Sequence, residues 1–448
     1  MQRPLIAVLI ASALFTLNAQ AADLLQVYQQ AQANDATFAS ARNSLTAGQE
    51  RITQGRSLLL PTVTLTGQNL RNYGDRTPGN IGAIDVVDGQ LVEITKVNQD
   101  NHNNSYTLQL TQPLFRWANY QQYEQSKLSQ AQAEAQFAAA QQDLILRVAQ
   151  AYFDVLTAQD NLTATQAQKS ATTEQLASAK RNFEVGTQTI TDTHEAQAAY
   201  DLVVAQEFAA INDLEVKRNA LRQIIGQAPG DLAGLRTGVT IAPPEPAAID
   251  PWISAAEGQN YSVTVQELAV EIAKRQISLQ RAGHMPTLDL VAQKQRNSFN
   301  NIQGTTKNNA IGVQWSVPIF NGFAVTSRVR EAIALEEKAR NDLEASKRAA
   351  AQNARTAFLG VNTGLSQVKA LEAAEVSSKS ALDSNKLGYQ VGVRINIDVL
   401  NAQRQLYATQ KDLSKARYDT IMNGLRLKAA AGTLKETDLQ PVNALLVN

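Results

Sequence analysis

The chain has no cysteine, which excludes disulfide staples and thiolate metal sites alike. Histidine is almost as scarce: His102, His194 and His284 are the three present, and no two are spaced like a zinc pair. Net charge is absent too, with 41 basic and 41 acidic residues, so nothing steers the protein toward nucleic acid. Aromatics make up 6% of the chain, little for a thick globular interior. The abundant Ala and Gln suit long, closely packed helices instead. No phosphate loop or nucleotide fingerprint occurs. No Ser/His/Asp set, metal cluster or carboxylate pair stands out, so neither an enzyme nor a cofactor is expected. Past the first 21 residues no run approaches the ~18 apolar residues that a spanning helix needs. If the protein sits in a membrane, it must do so as a barrel.

What is present begins with a targeting segment over 1–21. Arg3 is its basic end, Leu5 to Leu17 an apolar run, and Ala19-Gln20-Ala21 its small-residue cleavage site. The mature chain is expected to start near Ala22 and to leave the cytoplasm.

A duplication organises the remainder. Phe183-Glu184-Val185-Gly186-Thr187-Gln188-Thr189-Ile190-Thr191-Asp192 is matched by Tyr389-Gln390-Val391-Gly392-Val393-Arg394-Ile395-Asn396-Ile397-Asp398, with the aromatic, the Val-Gly pair and the Asp all at an offset of 206. A spacing shared by three landmarks argues for a repeated unit. Each stretch is expected to be a helix-to-helix turn. The first repeat is expected over 22–226, a linker rich in Gly and Pro over 227–251, the second repeat over 252–432, and a terminal segment over 433–448.

Within each repeat a helix gives way to two strands. After Leu60-Pro61 the period falls to two: Val63, Leu65 and Gly67 alternate with Thr62, Thr64, Thr66 and Gln68. A loop is expected from Gly74 to Asn104, then a strand on Tyr106, Leu108 and Leu110 that Pro113 closes. The second repeat follows suit after Met285-Pro286, with Leu288, Leu290 and Ala292, a loop near 300–309, then Ile311, Val313, Trp315 and Val317, closed by Pro318. The hairpins are thus expected over 60–115 and 286–320, with prolines at strand ends, where a missing donor costs least.

Long helices follow each hairpin, over 119–182 and 324–387, and shorter ones follow each turn, over 192–225 and 398–431. About 64 residues of helix reach about 95 Å. The shorter helices flanking each hairpin and turn add up to nearly the same length, so each copy supplies two columns of similar height. Ile145, Ala149, Tyr152 and Leu156 form one apolar seam, and Leu144, Val148, Ala151 and Val155 another beside it. Two seams fit a helix with neighbours on both sides, as in a ring; an ordinary coiled coil explains one of them. Four strands of about 9–11 residues are too few to close a barrel alone, so copies must assemble. Phe115, Trp117, Phe320 and Phe323 cluster where strand meets helix, the depth of a membrane-interface girdle.

These landmarks resemble the TolC family of outer-membrane efflux and secretion channels along nearly the whole mature chain. The specific matches are Leu60-Pro61, Met285-Pro286, Pro113-Leu114-Phe115, Pro318-Ile319-Phe320, both Val-Gly turns and Asp23-Leu24-Leu25-Gln26-Val27-Tyr28. The resemblance implies an α+β membrane protein: a homotrimer with a 12-stranded transmembrane β-barrel, four strands per chain, continued by a 12-helix periplasmic α-barrel with an equatorial domain. It implies an exit duct of tripartite efflux pumps or type I secretion, in the bacterial outer membrane with a periplasmic extension. The implied partners are outer-membrane lipid, a periplasmic adaptor (membrane fusion protein) and an inner-membrane pump or ABC transporter. By position it implies a periplasmic gate at Thr191, Asp192, Tyr389 and Arg394, and adaptor docking at Val185, Gly186, Val391 and Gly392. It also implies an acidic ring at the entrance on Asp398, whose second position is Asn401 here and departs from the pattern. A periplasmic coiled-coil adaptor or structural spacer is the alternative.

Overall fold

The computed structural model describes residues 21–76, 84–87, 89–93, 97–236, 238–299 and 304–447. All but the last residue of the expected targeting segment lies outside them. In chain order the elements are α1 (Leu24–Asn34), α2 (Ala36–Ser57), β1 (Thr62–Arg76), β2 (Ile84–Val87), β3 (Gln90–Glu93), β4 (Val97–Phe115), α3 (Trp117–Glu184) and α4 (Ile190–Ile225). Then come α5 (Asp250–Gln259), α6 (Tyr261–Arg281), β5 (Thr287–Phe299), β6 (Gly304–Ser316), α7 (Ala324–Gln390), α8 (Asn396–Ala430) and α9 (Leu439–Asn443). The chain divides into two compact units, one of residues 1–44, 135–264 and 344–448, the other of residues 45–134 and 265–343. Each unit draws on both sequence repeats.

The first unit holds a helical core. Asp23 caps α1 by accepting from the Gln26 amide at 2.7 Å. Asp35 ends α1, its amide donating to Ala31 O at 2.8 Å, and starts α2 by accepting from Phe38 N at 2.6 Å. Both apolar seams of α3 are buried, from Leu144 and Val148 at 0% exposure to Ala151 at 9%. Neighbours therefore cover α3 on two sides: Leu24, Val27 and Tyr28 of α1, Leu221 and Ile225 of α4, and Ile421 and Leu425 of α8 belong to the same cluster. Burying a side chain of this size contributes roughly 1.5–3 kcal/mol. Tyr152 also donates its hydroxyl to Ala233 O at 2.7 Å, tying the inter-repeat segment to this core. The linker expected over 227–251 gives way to α5 at Asp250. Pro251 lies in the first turn of α5, where proline is tolerated, and Trp252 packs with Phe358 and Leu427.

The second unit is built on a four-stranded antiparallel sheet, ordered β1-β4-β5-β6. Register puts Val63 opposite Leu110, and Leu65 opposite Leu108. It also puts Leu110 opposite Ala292, and Ala292 opposite Ile311. These residues share one face with Leu290, Val313 and Trp315, while Thr64, Thr66, Thr107, Gln109, Gln293 and Gln314 take the other. The apolar face is bare in the single chain: Leu65 is 72% exposed and Ile311 78%. Among the described residues, β1 and β6 each pair on one side only.

Three expectations need correction here. The strands are longer than 9–11 residues: 15 in β1, 19 in β4 and 13 each in β5 and β6. The loop expected over 74–104 is largely strand, because β1 and β4 stay in register out to Arg76 and Val97, and β2 pairs with β3 between them. Pro113 does not close β4. The strand runs on to Phe115 through a register shift against β5, beyond the last β1 pair at Thr111, so the absent N–H falls where the ladder is already interrupted. At the base of the sheet Arg116 makes a two-pronged contact with the 7%-exposed Asp289 at 2.8 and 2.6 Å.

Candidate functional site at the helix turns

The two turns lie in the first unit and have one backbone solution. α3 ends with Gly186 N donating to Phe183 O at 3.0 Å and Thr187 N to Asn182 O at 2.9 Å; α7 ends with Gly392 N donating to Tyr389 O at 3.1 Å and Val393 N to Gly388 O at 2.8 Å. Gly186 has φ 74° and Gly392 φ 78°, the left-handed cap that glycine adopts without penalty. A Cβ on either would meet nothing within 4 Å, so inside the chain the requirement is backbone conformation, not a close neighbour. Val185 and Val391 are exposed beside them, at 71% and 66%.

The turns differ in their side chains. At the first, Thr189 caps α4 reciprocally with Asp192: Asp192 Oδ2 accepts from Thr189 N at 3.1 Å and from Thr189 Oγ1 at 2.8 Å, while Thr189 Oγ1 accepts from Asp192 N at 3.3 Å. This is a capping box, and it occupies the Asp192 carboxylate. At the second, Ile395 offers α8 no side-chain cap. Arg394 folds its stem over Gly388, where a Cβ would crowd Arg394 Cγ at 2.7 Å, and its guanidinium stands 3.6 Å from Asp398. Asn401 accepts from Arg404 one turn further along α8.

Within one chain the predicted gate residues therefore have other partners. Tyr389 OH accepts from Gln188 Nε2 at 2.5 Å, Arg394 faces Asp398, and Asp192 serves its own helix. Thr191 is exposed. Among the described residues no hydrogen bond or ion pair joins Tyr389 or Arg394 to Thr191 or Asp192. Sequence reasoning passed over Gln188, and also Asn396, which is 0% exposed. Asn396 Oδ1 accepts from Gln175 Nε2 at 2.6 Å, and its Nδ2 donates to Asp192 O at 3.0 Å. One signal could have found it: at the 206-residue offset the first repeat has the apolar Ile190. Gln188 Oε1 and Thr193 Oγ1 are buried nearby without a partner.

Of the girdle aromatics, Trp117 stacks on Tyr120 at 5.2 Å, and Phe320 meets Phe323 edge-on at 5.6 Å. Phe115, Phe320 and Phe323 are all exposed. Phe323 has φ 63°, a left-handed conformation uncommon outside glycine. Among the described residues no helix is long and apolar enough to cross a membrane, and no three His, Asp or Glu groups are placed to hold a metal ion.

Comparison with known proteins accounts for this combination of an exposed apolar sheet and paired long helices. The family described as outer membrane efflux protein matches residues 27–227 and 252–433. Outer membrane protein TolC of Vibrio cholerae serotype O1 is 36% identical over 452 residues, covering 99% of this chain and 98% of the relative. Alkaline protease secretion protein AprF of Pseudomonas aeruginosa is 30% identical, covering 96% of this chain and 89% of the relative. In fold the chain is similar to the CmeC outer membrane channel of Campylobacter jejuni, with a TM-score of 0.78 at 18% identity over 94% of this chain and 89% of that one. These relatives are channel and secretion proteins, not enzymes. The chain belongs to the outer membrane efflux protein family.

Proposed function

We propose that three copies of this chain close a 12-stranded barrel in the outer membrane and continue it as a 12-helix tunnel into the periplasm, with an equatorial belt around it. The protein is an outer-membrane exit duct for efflux and type I secretion. It is passive and performs no chemistry. A periplasmic adaptor opens it, and an inner-membrane pump or ABC transporter supplies the energy. The observation that carries this reading is the four-stranded sheet, apolar on one bare face and unpaired along β1 and β6. An open edge cannot rest in hydrocarbon; pairing β6 of each copy with β1 of the next removes every edge, and lipid covers the apolar face. Leu202, Phe208, Ile211 and Val216 of α4 are likewise exposed in the single chain, a surface for neighbouring copies to cover.

The division into leader, two repeats, linker and terminal segment given above belongs to the same proposal. Tyr389 and Arg394 of α7–α8, with Thr191 and Asp192 of α3–α4, form the periplasmic gate. The Gln188 and Thr193 oxygens left unpaired in one chain are acceptors that a neighbouring copy's donors would satisfy. Val185, Gly186, Val391 and Gly392 form the adaptor-docking turns. Asp398 lines the entrance as one acidic ring, with Arg394 beside it and the neutral Asn401 above, so block by divalent cations is weak. Phe115, Trp117, Phe320 and Phe323 mark the membrane interface.

Envelope fractionation followed by planar-bilayer recording tests the reading. The expected result is a heat-resistant trimer in the outer-membrane fraction that conducts ions once reconstituted. A periplasmic product that stays soluble without detergent and never conducts would instead establish the adaptor or spacer.

A further inference from the structure

We infer that Asn396 is a positioning residue for the gate: it pins the α7–α8 turn to the α3–α4 turn of the same chain and so sets the closed height of Tyr389, Arg394 and Asp398. The inference rests on the channel reading above and goes beyond it to a residue outside the gate set.

Asn396 is the first residue of α8, one position past the N-cap Ile395, and it makes no capping bond to its own helix. Its amide oxygen accepts from Gln175 of α3, and its amide nitrogen donates to the Asp192 carbonyl in the first turn of α4. Three helices meet on one side chain that water does not reach. A carbonyl has two lone pairs, so Asp192 O takes this bond without giving up its place in the α4 ladder. The surrounding seam is apolar, made of Leu176 and Ala179 of α3, Ala196 of α4 and Leu400 of α8. Such a seam holds helices together without fixing how far one slides along another. A buried Asn bonded to two facing helices fixes register, because any slip leaves its amide unpaired. The duplication points the same way: the matching position in the first repeat is Ile190, 47% exposed and apolar. Only one of the two turns carries the pin, and one suffices to join the pair.

Asn396→Ile, which installs the first repeat's residue, and Gln175→Leu, which removes the donor from the opposite helix, test the assignment. Single-channel recording of purified trimers is the readout, alongside trimer yield and melting temperature. Each trimer loses the link three times, so the open fraction should rise by at least roughly a hundredfold in either variant while trimer yield stays at the wild-type level. The double variant should rise no further than Asn396→Ile alone, since the Gln175 bond is one of the two that this change already removes. Wild-type-like recordings from both single variants overturn the inference, whatever happens to the melting temperature. Additive effects in the double variant also overturn it. A wild-type protein that never conducts would instead remove the channel reading itself.

Discussion

Replacing Tyr389 with Phe and Arg394 with Ser should open the tip. In each chain Tyr389→Phe deletes one half-buried neutral hydrogen bond to Gln188, worth about 0.5–1.5 kcal/mol. Arg394→Ser deletes an exposed pair with Asp398 at 3.6 Å, one helical turn away, worth about 0.3–0.5 kcal/mol. Three copies around a closed ring multiply these to about 2–6 kcal/mol, a shift of about thirtyfold to twenty-thousandfold toward the open state. Planar-bilayer conductance of the double variant should therefore exceed wild type clearly, with longer openings. Salt separates the two contributions. The Arg394 part fades at about 1 M, where the Debye length is about 3 Å, whereas the Tyr389 part persists. A double variant that conducts like the wild type at low and high salt refutes the gate.

Other outcomes follow from single side chains. Arg147→Ala should cost about 3 kcal/mol, read as a lower melting temperature, because Arg147 meets the 5%-exposed Asp35 at 3.0 and 3.1 Å. The hydrogen bond from Arg147 holds the Asp35 carboxyl below its ordinary 3.8. That stability is full above 3.8 and lost as pH falls through the depressed value, so the deficit of the variant should close in acid. Burial pushes the Asp160 carboxyl the other way, above 3.8. The burden starts as pH rises past 3.8, where the unfolded chain ionises, and is complete above the raised value, so Asp160→Asn should raise the melting temperature at neutral pH and leave it unchanged below about 3.8. Gly392→Val forces a β-branched residue to a φ of 78°, at roughly 1–2 kcal/mol; crosslinking to a periplasmic adaptor should fall while trimer yield holds.

The features legible in the sequence were those written in local periodicity. Pro61 and Pro286 stand just before β1 and β5, and the paired seams of α3 came from residue spacing alone. Strand length was hidden because alternation reports only where one face meets an apolar medium. Beyond Gln68 the face that began with Val63 and Leu65 turns polar, with Asn69 opposite Asn104 and the exposed Arg71–Asp100 pair, yet it stays paired through the backbone. Proline misled at Pro113: the missing donor falls where no β1 ladder bond is needed, so the residue does not end the strand. The tip contacts were illegible because they join residues 201 and 221 positions apart, and nothing in either stretch names its distant partner.

The unpaired edges of β1 and β6 have a genetic corollary. In a ring of three, every chain shares one seam with each neighbour, so a subunit that folds but carries a spoiled β1 or β6 edge opens one seam of the three and with it the ring. Were such an allele expressed at equal dosage with an intact one, random assortment would leave only about one ring in eight wholly intact. Lesions on these two strands should therefore be dominant, whereas lesions that stop the chain from folding before assembly should be recessive.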